Sequence, residues 1–431
     1  MNASRAVRLL AVSALVALPH LESPSAHAVS PPSIDDKWLP APAPPAPPWP
    51  TLQREVCAAL PTDSTKGGPL PGVGDLRRVW QLTRGAGQRV AVIDTGVAPH
   101  PRLPDVVPGG DYVSTGDGTQ DCDAHGTLVA GIIAAAADSR PDGSGGVAPE
   151  ATVVSIRQSS SKFAPISDRS RTRVGDVDTM AKAVRTAADL GASVINISSI
   201  ACVPVGTTLD DRALGAALAY AVDVKNAVVV AAAGNSGGTA QCPRQRSDAT
   251  WQTTAVVVSP AWYDDYVLTV GSVNADGTPS DFTLAGPWVD VAATGEAVTA
   301  LGAQPVSGTS YAAPIVSGLA ALIRSRFPAF TARQVMQRIE STAHHPSAGW
   351  DPLVGNGAVD ALAAVSTDST APETARPTTA PVPIVAPPPP APPDRRARDV
   401  ALRGAAGCLV VLMALLAAGR LPARADRVAG D

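Results

Sequence analysis

The chain has 431 residues, 45% hydrophobic and 17% charged, a composition that allows a large buried core and excludes disorder as its main character. Its 34 basic residues against 38 acidic ones give a formal net charge of −4, so the basic surface of a nucleic-acid-binding protein is missing and we expect no nucleic-acid partner. Prolines concentrate in two stretches, 29–50 and 371–393, which bracket a globular middle.

The first 28 residues have the pattern of an export signal. Two arginines precede the apolar run from Leu9 to Leu18, and Ala26-His27-Ala28 is a small-x-small site that export peptidases accept. The alternative, a buried first element, is disfavoured because the proline-rich stretch that follows gives it no neighbour to join. We expect a signal peptide at 1–28 and a proline-rich, largely extended segment at 29–74.

Residues 75–365 alternate apolar runs rich in β-branched residues with alanine-rich runs of helical length. The predicted strands lie at 89–93, 152–156, 192–198, 227–232 and 266–272, and the predicted helices at 127–137, 179–190, 212–225 and 310–327. Because the strands are uniformly apolar and separated by helices, we predict an α/β domain with a parallel sheet and helices on both faces. In such sheets, functional residues gather at the carboxyl ends of the strands.

Asp94 ends the first of these strands, in the sequence Val92-Ile93-Asp94-Thr95-Gly96. A carboxylate at a strand end, before a glycine turn, is well placed to hold an imidazole by its ring N–H. Asp-Thr-Gly also occurs in aspartic proteases, but those enzymes need a second such carboxylate. No second Asp-Thr-Gly or Asp-Ser-Gly occurs in the chain.

Two further polar residues stand next to predicted elements. His125 opens His125-Gly126-Thr127, where the glycine allows a close backbone approach and the small residues beyond it let the helix pack tightly on the sheet. A surface or capping role is the alternative for this histidine. Asn235 follows a buried strand directly, where an ordinary turn asparagine is the alternative.

Ser310 begins an apolar helix, in the sequence Gly308-Thr309-Ser310-Tyr311-Ala312. A serine at a helix N-terminus can be a simple cap. At this position, however, a hydroxyl, the positive end of the helix dipole and a free backbone N–H coincide, which suits a nucleophile whose product is an oxyanion.

Near the C-terminus, the uncharged run 404–419 is long enough to reach about 24 Å as a helix, short of the roughly 30 Å core of a bilayer. Because Arg403 can extend its charge to the membrane surface, we predict a membrane-spanning helix at 400–421, with a core helix as the alternative. The proline-rich linker 366–399 precedes it. An exported N-terminus then puts the tail, 422–431, in the cytoplasm.

Four of the five cysteines lie in the part expected to be exported: Cys57, Cys122, Cys202 and Cys242. An even number in an oxidising compartment predicts two disulfides, with three possible pairings that the residues alone do not rank. Four unpaired buried thiols are the alternative. Cys408 lies in the predicted membrane helix.

In order along the chain, Asp-Thr-Gly, His-Gly-Thr, a strand ending in Gly-Asn, and Gly-Thr-Ser resemble the subtilisin-like serine proteases over most of the middle domain. The resemblance implies an endopeptidase in which Ser310 is the nucleophile and His125 is first general base, then general acid. Asp94 would orient the imidazole. Asn235 and the Ser310 N–H would bind the oxyanion.

We expect no cofactor and no metal. His344 and His345 are adjacent, so their side chains point to different faces, and no carboxylate stands at helical spacing from them. The His-Glu-x-x-His sequence of the zincins is also missing.

The flanking segments are similar to those of the mycosins, the membrane-anchored subtilases of actinobacterial type VII secretion. The signal peptide, the proline-rich extension, the runs 194–202 and 342–346 and the linker into one C-terminal helix carry this likeness. It implies the pairings Cys57–Cys122 and Cys202–Cys242. It also implies secreted protein or peptide substrates, a place beside the secretion membrane complex, and a single-pass cell-membrane location with the peptidase domain on the extracytoplasmic side.

Two segments depart from ordinary subtilisins. The extension 29–74 is too short and too rich in proline for the usual folded inhibitory propeptide, so we expect it to stay attached. The expected substrate-binding residues, Ser198, Ser199, Ile200 and Gly234, include a branched side chain where many subtilisins have a small one, which predicts a narrowed primary pocket.

The segment 158–178 is predicted to be a long exposed loop beside the cleft, more a solvated insertion than a substrate lid.

Two other functions fit parts of the sequence. The segment 308–312 is one residue away from the Gly-x-Ser-x-Gly of α/β-hydrolase esterases, but that family needs its acid and histidine after the serine, on further strand–helix units. The second is a structural role, stabilising the secretion membrane complex with proteolysis secondary. Because all four catalytic positions are filled, the sequence favours an active enzyme.

Overall fold

The computed structural model describes residues 29–60, 74, 76–137, 145–168, 170–237, 242–366 and 408–411. The chain forms two compact units, Met1–Pro372 and Glu373–Asp431, and the described residues of the second are helical. The predicted signal peptide and tail lie outside the described residues, as do most of the predicted linker and membrane helix. Among the residues that the structure describes, none of the helices has both the length and the apolarity that crossing a bilayer requires.

A seven-stranded parallel sheet forms the centre of the first unit. The described strands are, in chain order, β1 (Thr51–Gln53), β2 (Arg89–Asp94), β3 (Val106–Asp111), β4 (Thr152–Arg157), β5 (Phe163–Pro165), β6 (Val194–Ile197), β7 (Ala201–Pro204), β8 (Val228–Ala232), β9 (Val256–Ser259), β10 (Leu268–Val273) and β11 (Val291–Thr294). Their order in the sheet is β11-β10-β8-β6-β2-β4-β3. Two antiparallel pairs, β1–β5 and β7–β9, stand outside it.

The helices pack on this sheet in two groups. In chain order they are α1 (Leu76–Trp80), α2 (His125–Ala134), α3 (Val177–Asp189), α4 (Arg212–Ala219), α5 (Thr309–Arg326), α6 (Ala332–Ser341) and α7 (Ala361–Val365). Helix α2 packs against α5, and α3 packs against α4. Both α2 and α3 contact β2, the arrangement expected of a sheet with helices on both faces.

Helix α5 contacts more strands of the sheet than any other described helix. Its sequence is rich in Ala, Gly and Ser, so it approaches the sheet closely and contacts β6, β8, β10 and β11. Beyond its first turn, the helix stays buried as far as Ile323. Because the rest of the helix is held by this packing, the position of its first turn relative to the end of the sheet is fixed.

The predicted fold class, a subtilisin-like parallel sheet with helices, is confirmed. Every strand and helix predicted within 75–365 is present, with its bounds shifted by a few residues. The sequence reasoning missed β3, β7, β9 and β11, because three of these strands have only four residues and β3 is interrupted by a proline and two glycines. It also missed the five-residue helices α1 and α7, and α6, whose capping box at Thr331 and Gln334 is a recognisable start signal.

The prediction of a long solvated loop at 158–178 is wrong in part. Gln158, Ser160 and Val174 are buried, and β5 within this segment pairs with β1 of the N-terminal extension. The pairing joins residues far apart in the sequence, so no local pattern announces it. In its described part, residues 29–60 and 74, the extension is mostly irregular, apart from β1 and a 3₁₀ turn at Asp36–Trp38.

Candidate active site

The carboxylate and the imidazole meet at the carboxyl edge of the sheet. Asp94 is the last residue of β2 and its side chain is fully buried, whereas His125 is the first residue of α2. The Oδ1 atom of Asp94 lies 2.7 Å from Nδ1 of His125 and also accepts the Thr95 N–H. A charged carboxylate can only accept hydrogen bonds, so Nδ1 carries the proton of the neutral imidazole.

The other ring nitrogen faces the hydroxyl. His125 Nε2 lies 3.1 Å from Ser310 Oγ, in the first turn of α5. With the proton on Nδ1, Nε2 is free to accept the serine O–H. Asp94, His125 and Ser310 therefore form one continuous hydrogen-bonded chain from three separate elements.

The environment of His125 favours its charged form. Burial disfavours the imidazolium, but the negative charge and hydrogen bond of Asp94, helped by Asp121 and Asp123, outweigh it and raise the pKa of His125 above its ordinary value. The imidazole keeps 27% of its side-chain surface exposed. The imidazole is thus more basic than an ordinary histidine and still open to the cleft.

Asn235 is oriented by the residue before Ser310. Its Oδ1 accepts both the N–H of Thr309, at 2.9 Å, and the Thr309 hydroxyl, at 3.0 Å. Because the carbonyl end of the amide is thereby fixed, the NH₂ end is left to face the serine. A Cβ atom placed on Gly308 would lie 3.4 Å from Asn235 Nδ2 and 3.2 Å from Ser310 Oγ, so these two groups flank the same point.

Gly308 is required at that point. Its φ of 154° is one that other residues rarely adopt, and a side chain there would crowd both Asn235 and Ser310. The first N–H groups of a helix, including that of Ser310, lack partners inside the helix. The hydroxyl, a side-chain amide and a backbone amide thus converge where an anionic oxygen would form.

A cleft of about 540 Å³ opens beside these residues. The predicted substrate-binding residues Ser198, Ser199 and Ile200 line it. A Cβ atom placed on Gly234 would lie 2.9 Å from Ile200 Cδ1, so the isoleucine reaches across the space between the segments that follow β6 and β8. Gly234 itself donates its N–H to the Thr309 hydroxyl, at 3.1 Å.

The hydroxyl of Ser198 is engaged in hydrogen bonds that connect β6 to α5. It donates to the carbonyl oxygen of Ser310, at 3.0 Å, and accepts a hydrogen bond from Asn196 Nδ2, at 2.9 Å. Asn196 in turn accepts one from Ser317. These hydrogen bonds tie the end of β6 to the first and third turns of α5 and leave the side chains of Ser199 and Ile200 to face the cleft.

Tyr311 is a neighbour of the histidine that the sequence reasoning missed. Its ring centroid lies 5.1 Å from that of His125, with the ring planes tilted by 48°. Burial, followed by the charges of Asp94 and Asp121, raises the pKa of Tyr311 to about 12, so its phenol stays neutral. The signal available in the sequence was an aromatic residue directly after the serine.

Both disulfides border the site. Cys57 is joined to Cys122, and Cys202 to Cys242, which are the pairings that the resemblance implied. The first connects the N-terminal extension to the loop that leads into His125. The second links β7, directly after Ile200, to the segment that precedes β9.

Comparison with known proteins yields consistent matches. A sequence profile of the subtilase family matches residues 85–357. The chain is 66% identical to mycosin-4 of Mycobacterium tuberculosis (strain ATCC 25618 / H37Rv) over 456 aligned positions, with all of both chains covered.

Solved structures match as well. A structure of the MycP3 protease from the type VII (ESX-3) secretion system is 45% identical, with a TM-score of 0.72 over 79% of this chain and 100% of that one. A chain in the structure of an intact ESX-5 inner membrane complex is 40% identical, with a TM-score of 0.70 over 91% of this chain and 100% of that one.

Proposed function

The chain belongs to the subtilase family of serine proteases and, within it, to the mycosins, and from this premise we propose that it is a membrane-anchored endopeptidase using Asp94, His125 and Ser310. The resemblance drawn from the sequence is thereby confirmed at the level of the family. The observation that carries the residue assignment is the unbroken hydrogen-bonded chain from the buried carboxylate to the serine hydroxyl.

The proposed reaction begins when His125 Nε2 removes the proton of Ser310 Oγ as that oxygen attacks the carbonyl carbon of a peptide bond. Asp94 holds the ring in the tautomer that this step needs and stabilises the imidazolium that forms. The imidazolium then gives its proton to the leaving amine. Water repeats the sequence on the acyl-enzyme and regenerates the serine.

Asn235 and the Ser310 N–H are proposed to stabilise the tetrahedral oxyanion. Their donors are fixed before substrate arrives, because Thr309 holds the asparagine amide and α5 holds the backbone. Preorganised donors of this kind need no reorganisation when the negative charge develops.

The preferred substrate has a small residue on the N-terminal side of the scissile bond. Ile200 supports this proposal because its side chain reaches Gly234 and fills the space where a larger side chain would enter. Ala, Gly or Ser would fit without moving the isoleucine, whereas an aromatic side chain would require its displacement.

We further propose that the peptidase domain faces the extracytoplasmic side, anchored by the apolar segment 400–421, beside a type VII secretion membrane complex. Support comes from the relative found in an ESX-5 inner membrane complex and from the export signal and apolar run in the sequence. A structural role in that complex is the second candidate, favoured by the same relative.

A fluorophosphonate probe on the purified protein tests the catalytic proposal. We expect covalent labelling of wild type and none of Ser310→Ala, with the same far-ultraviolet circular dichroism for both. A folded wild type that resists the probe would remove the catalytic proposal and favour the structural role. Secretion by cells that carry only Ser310→Ala then separates the two, since a purely structural role predicts normal secretion.

A further inference from the structure

One carboxylate beside the active site, that of Asp121, accepts five hydrogen bonds. Its Oδ1 accepts from the N–H groups of Asp123 and Ala124 and from the Thr95 hydroxyl, at 3.0, 2.8 and 2.9 Å. Its Oδ2 accepts from the N–H and the hydroxyl of Thr127, at 2.9 and 2.7 Å. These donors surround the point at which α2 begins.

The Thr95 hydroxyl extends this network to the strand that carries the catalytic carboxylate. Thr95 directly follows Asp94, and its Oγ1 donates to Asp121 while accepting the N–H of Gly126, at 2.9 Å. The residue after Asp94 is therefore hydrogen-bonded directly to Gly126, the residue after His125, and through Asp121 to Thr127, one residue further along α2.

We propose that Asp121 is a positioning residue for the proposed catalytic reaction. Its carboxylate, through Thr95, ties the end of β2 to the first turn of α2 and so sets the distance between the Asp94 carboxylate and the His125 imidazole. The inference rests on the proposed roles of Asp94, His125 and Ser310.

A helix cap alone would not need this arrangement. A capping side chain satisfies one or two of the first N–H groups of its helix. Asp121 does so with Thr127, but it also accepts the hydroxyl of Thr95 from another element, and its remaining bonds fix the two residues immediately before His125. All five partners donate, which is the pattern of an ionised carboxylate.

The charge of Asp121 also acts on the imidazole. The groups that bear on the charge of His125 are Asp94, Asp121 and Asp123, all negative, and Tyr311 packs against the ring with a neutral phenol. Since an acidic neighbour favours the imidazolium, removing one of the three charges lowers the pKa of His125. Substituting Asp121 changes both the positioning and the charge near His125, whereas substituting Thr95, the donor to Asp121, changes the positioning alone.

The experiment compares Asp121→Asn with Thr95→Val in the full-length protein, using the rate constant of labelling by a fluorophosphonate between pH 5 and 9. Because the rate constant is a property of each folded molecule, a loss of folded protein does not change it. We expect each variant to label roughly 10- to 100-fold more slowly, the loss that a displacement of about 1 Å produces.

The pH dependence of the labelling rate separates the effect of the Asp121 charge from that of positioning. Labelling needs neutral His125, so the rate falls as the pH falls through the pKa of this residue. Asp121→Asn removes a negative charge and moves this fall to lower pH, whereas Thr95→Val keeps every charge and leaves it in place. Asp117→Asn is the matched control, because among the described residues this exposed carboxylate of the same loop bonds within its own turn, to Thr119, and should match wild type.

Wild-type labelling rates in both variants would overturn the inference while leaving the proposed function intact. If Asp121→Asn does not fold, Thr95→Val alone decides, and an unchanged rate there overturns the inference equally. If wild type itself is not labelled, the proposed function fails and the inference falls with it.

Discussion

The catalytic edge of the sheet and the rim of the cleft are held in different ways. At the catalytic edge, Asp94, His125 and Ser310 stand at the ends of β2, α2 and α5, and hydrogen bonds of 2.7 and 3.1 Å inside the domain connect them. At the rim, the β1–β5 pair forms only because the N-terminal extension folds back onto the segment that follows β4. Chemistry and substrate binding should therefore respond to different substitutions.

The rim, residues 158–166 with β1 of the extension, is cross-linked to the loop before His125. We call this set of cross-links the brace. The Cys57–Cys122 disulfide joins the extension to the loop before His125, and Asp123 in that loop accepts hydrogen bonds from Ser160 and Ser161 of the rim. The pairing of β5 with β1 connects the rim back to the extension that carries Cys57. Lys162 and Glu55 add an ion pair at 2.7 Å, but an exposed pair of this kind contributes little, about 0–1 kcal/mol.

Asp94→Asn should produce the largest effect at the catalytic edge. We expect kcat to fall by roughly 10⁴-fold, a magnitude measured on trypsin, because the amide favours the wrong tautomer of His125. The remaining activity should extend to lower pH, since loss of the Asp94 charge lowers the raised pKa of His125 and the neutral base persists further into the acid range. Steady-state kinetics from pH 5 to 9 check this, with exposed Asp105→Asn as the unaffected control.

Asn235→Ala comes next. Loss of the oxyanion donor should lower kcat by roughly 10²–10³-fold, the range known from the corresponding asparagine of subtilisin itself, with KM nearly unchanged. An increase confined to KM would assign the residue to substrate binding and remove it from the oxyanion site.

Ile200→Gly should alter selectivity more than rate. Opening the space over Gly234 should raise kcat/KM for a substrate with Phe before the scissile bond, relative to one with Ala, by about 10-fold or more. Ile166→Gly is the matched control, because Ile166 is an exposed isoleucine of the rim outside the cleft lining. Equal effects of the two substitutions would contradict the assignment of Ile200.

Opening the brace should produce the smallest change in chemistry. In Cys57→Ser/Cys122→Ser, we expect KM to rise a few-fold with kcat unchanged, because the rim loosens while the hydrogen-bonded triad stays in place. The free energy of unfolding should fall by about 2–4 kcal/mol. Peptide hydrolysis and denaturant unfolding measure the two effects, and a fall in kcat larger than the rise in KM would show that the two regions are not separable.

The two regions also differ in how far the sequence predicts them. The proposed catalytic residues Asp94, His125, Asn235 and Ser310 stand in short segments next to strongly apolar elements, so local patterns could select them as candidates. Their order along the chain then carried the resemblance that implied their roles. The β1–β5 pair depends on a long-range contact between a proline-rich stretch and an interrupted loop, for which no periodicity exists.

Some features of the site itself were also beyond local patterns. That Ser198 would hold α5 by its hydroxyl, and that Asp121 would gather five donors, depends on which strand ends become neighbours in space. The branched side chain of Ile200 was readable as a narrowing of the pocket, but its contact partner was not.

A crystal structure of the protein after reaction with a fluorophosphonate examines the proposed site most directly. We predict phosphorus bonded to Ser310 Oγ, with one phosphoryl oxygen about 2.7–3.1 Å from both Asn235 Nδ2 and the Ser310 backbone nitrogen, and His125 still bonded to Asp94. Phosphorus on another residue, or a phosphoryl oxygen turned away from both donors, would contradict the proposed mechanism.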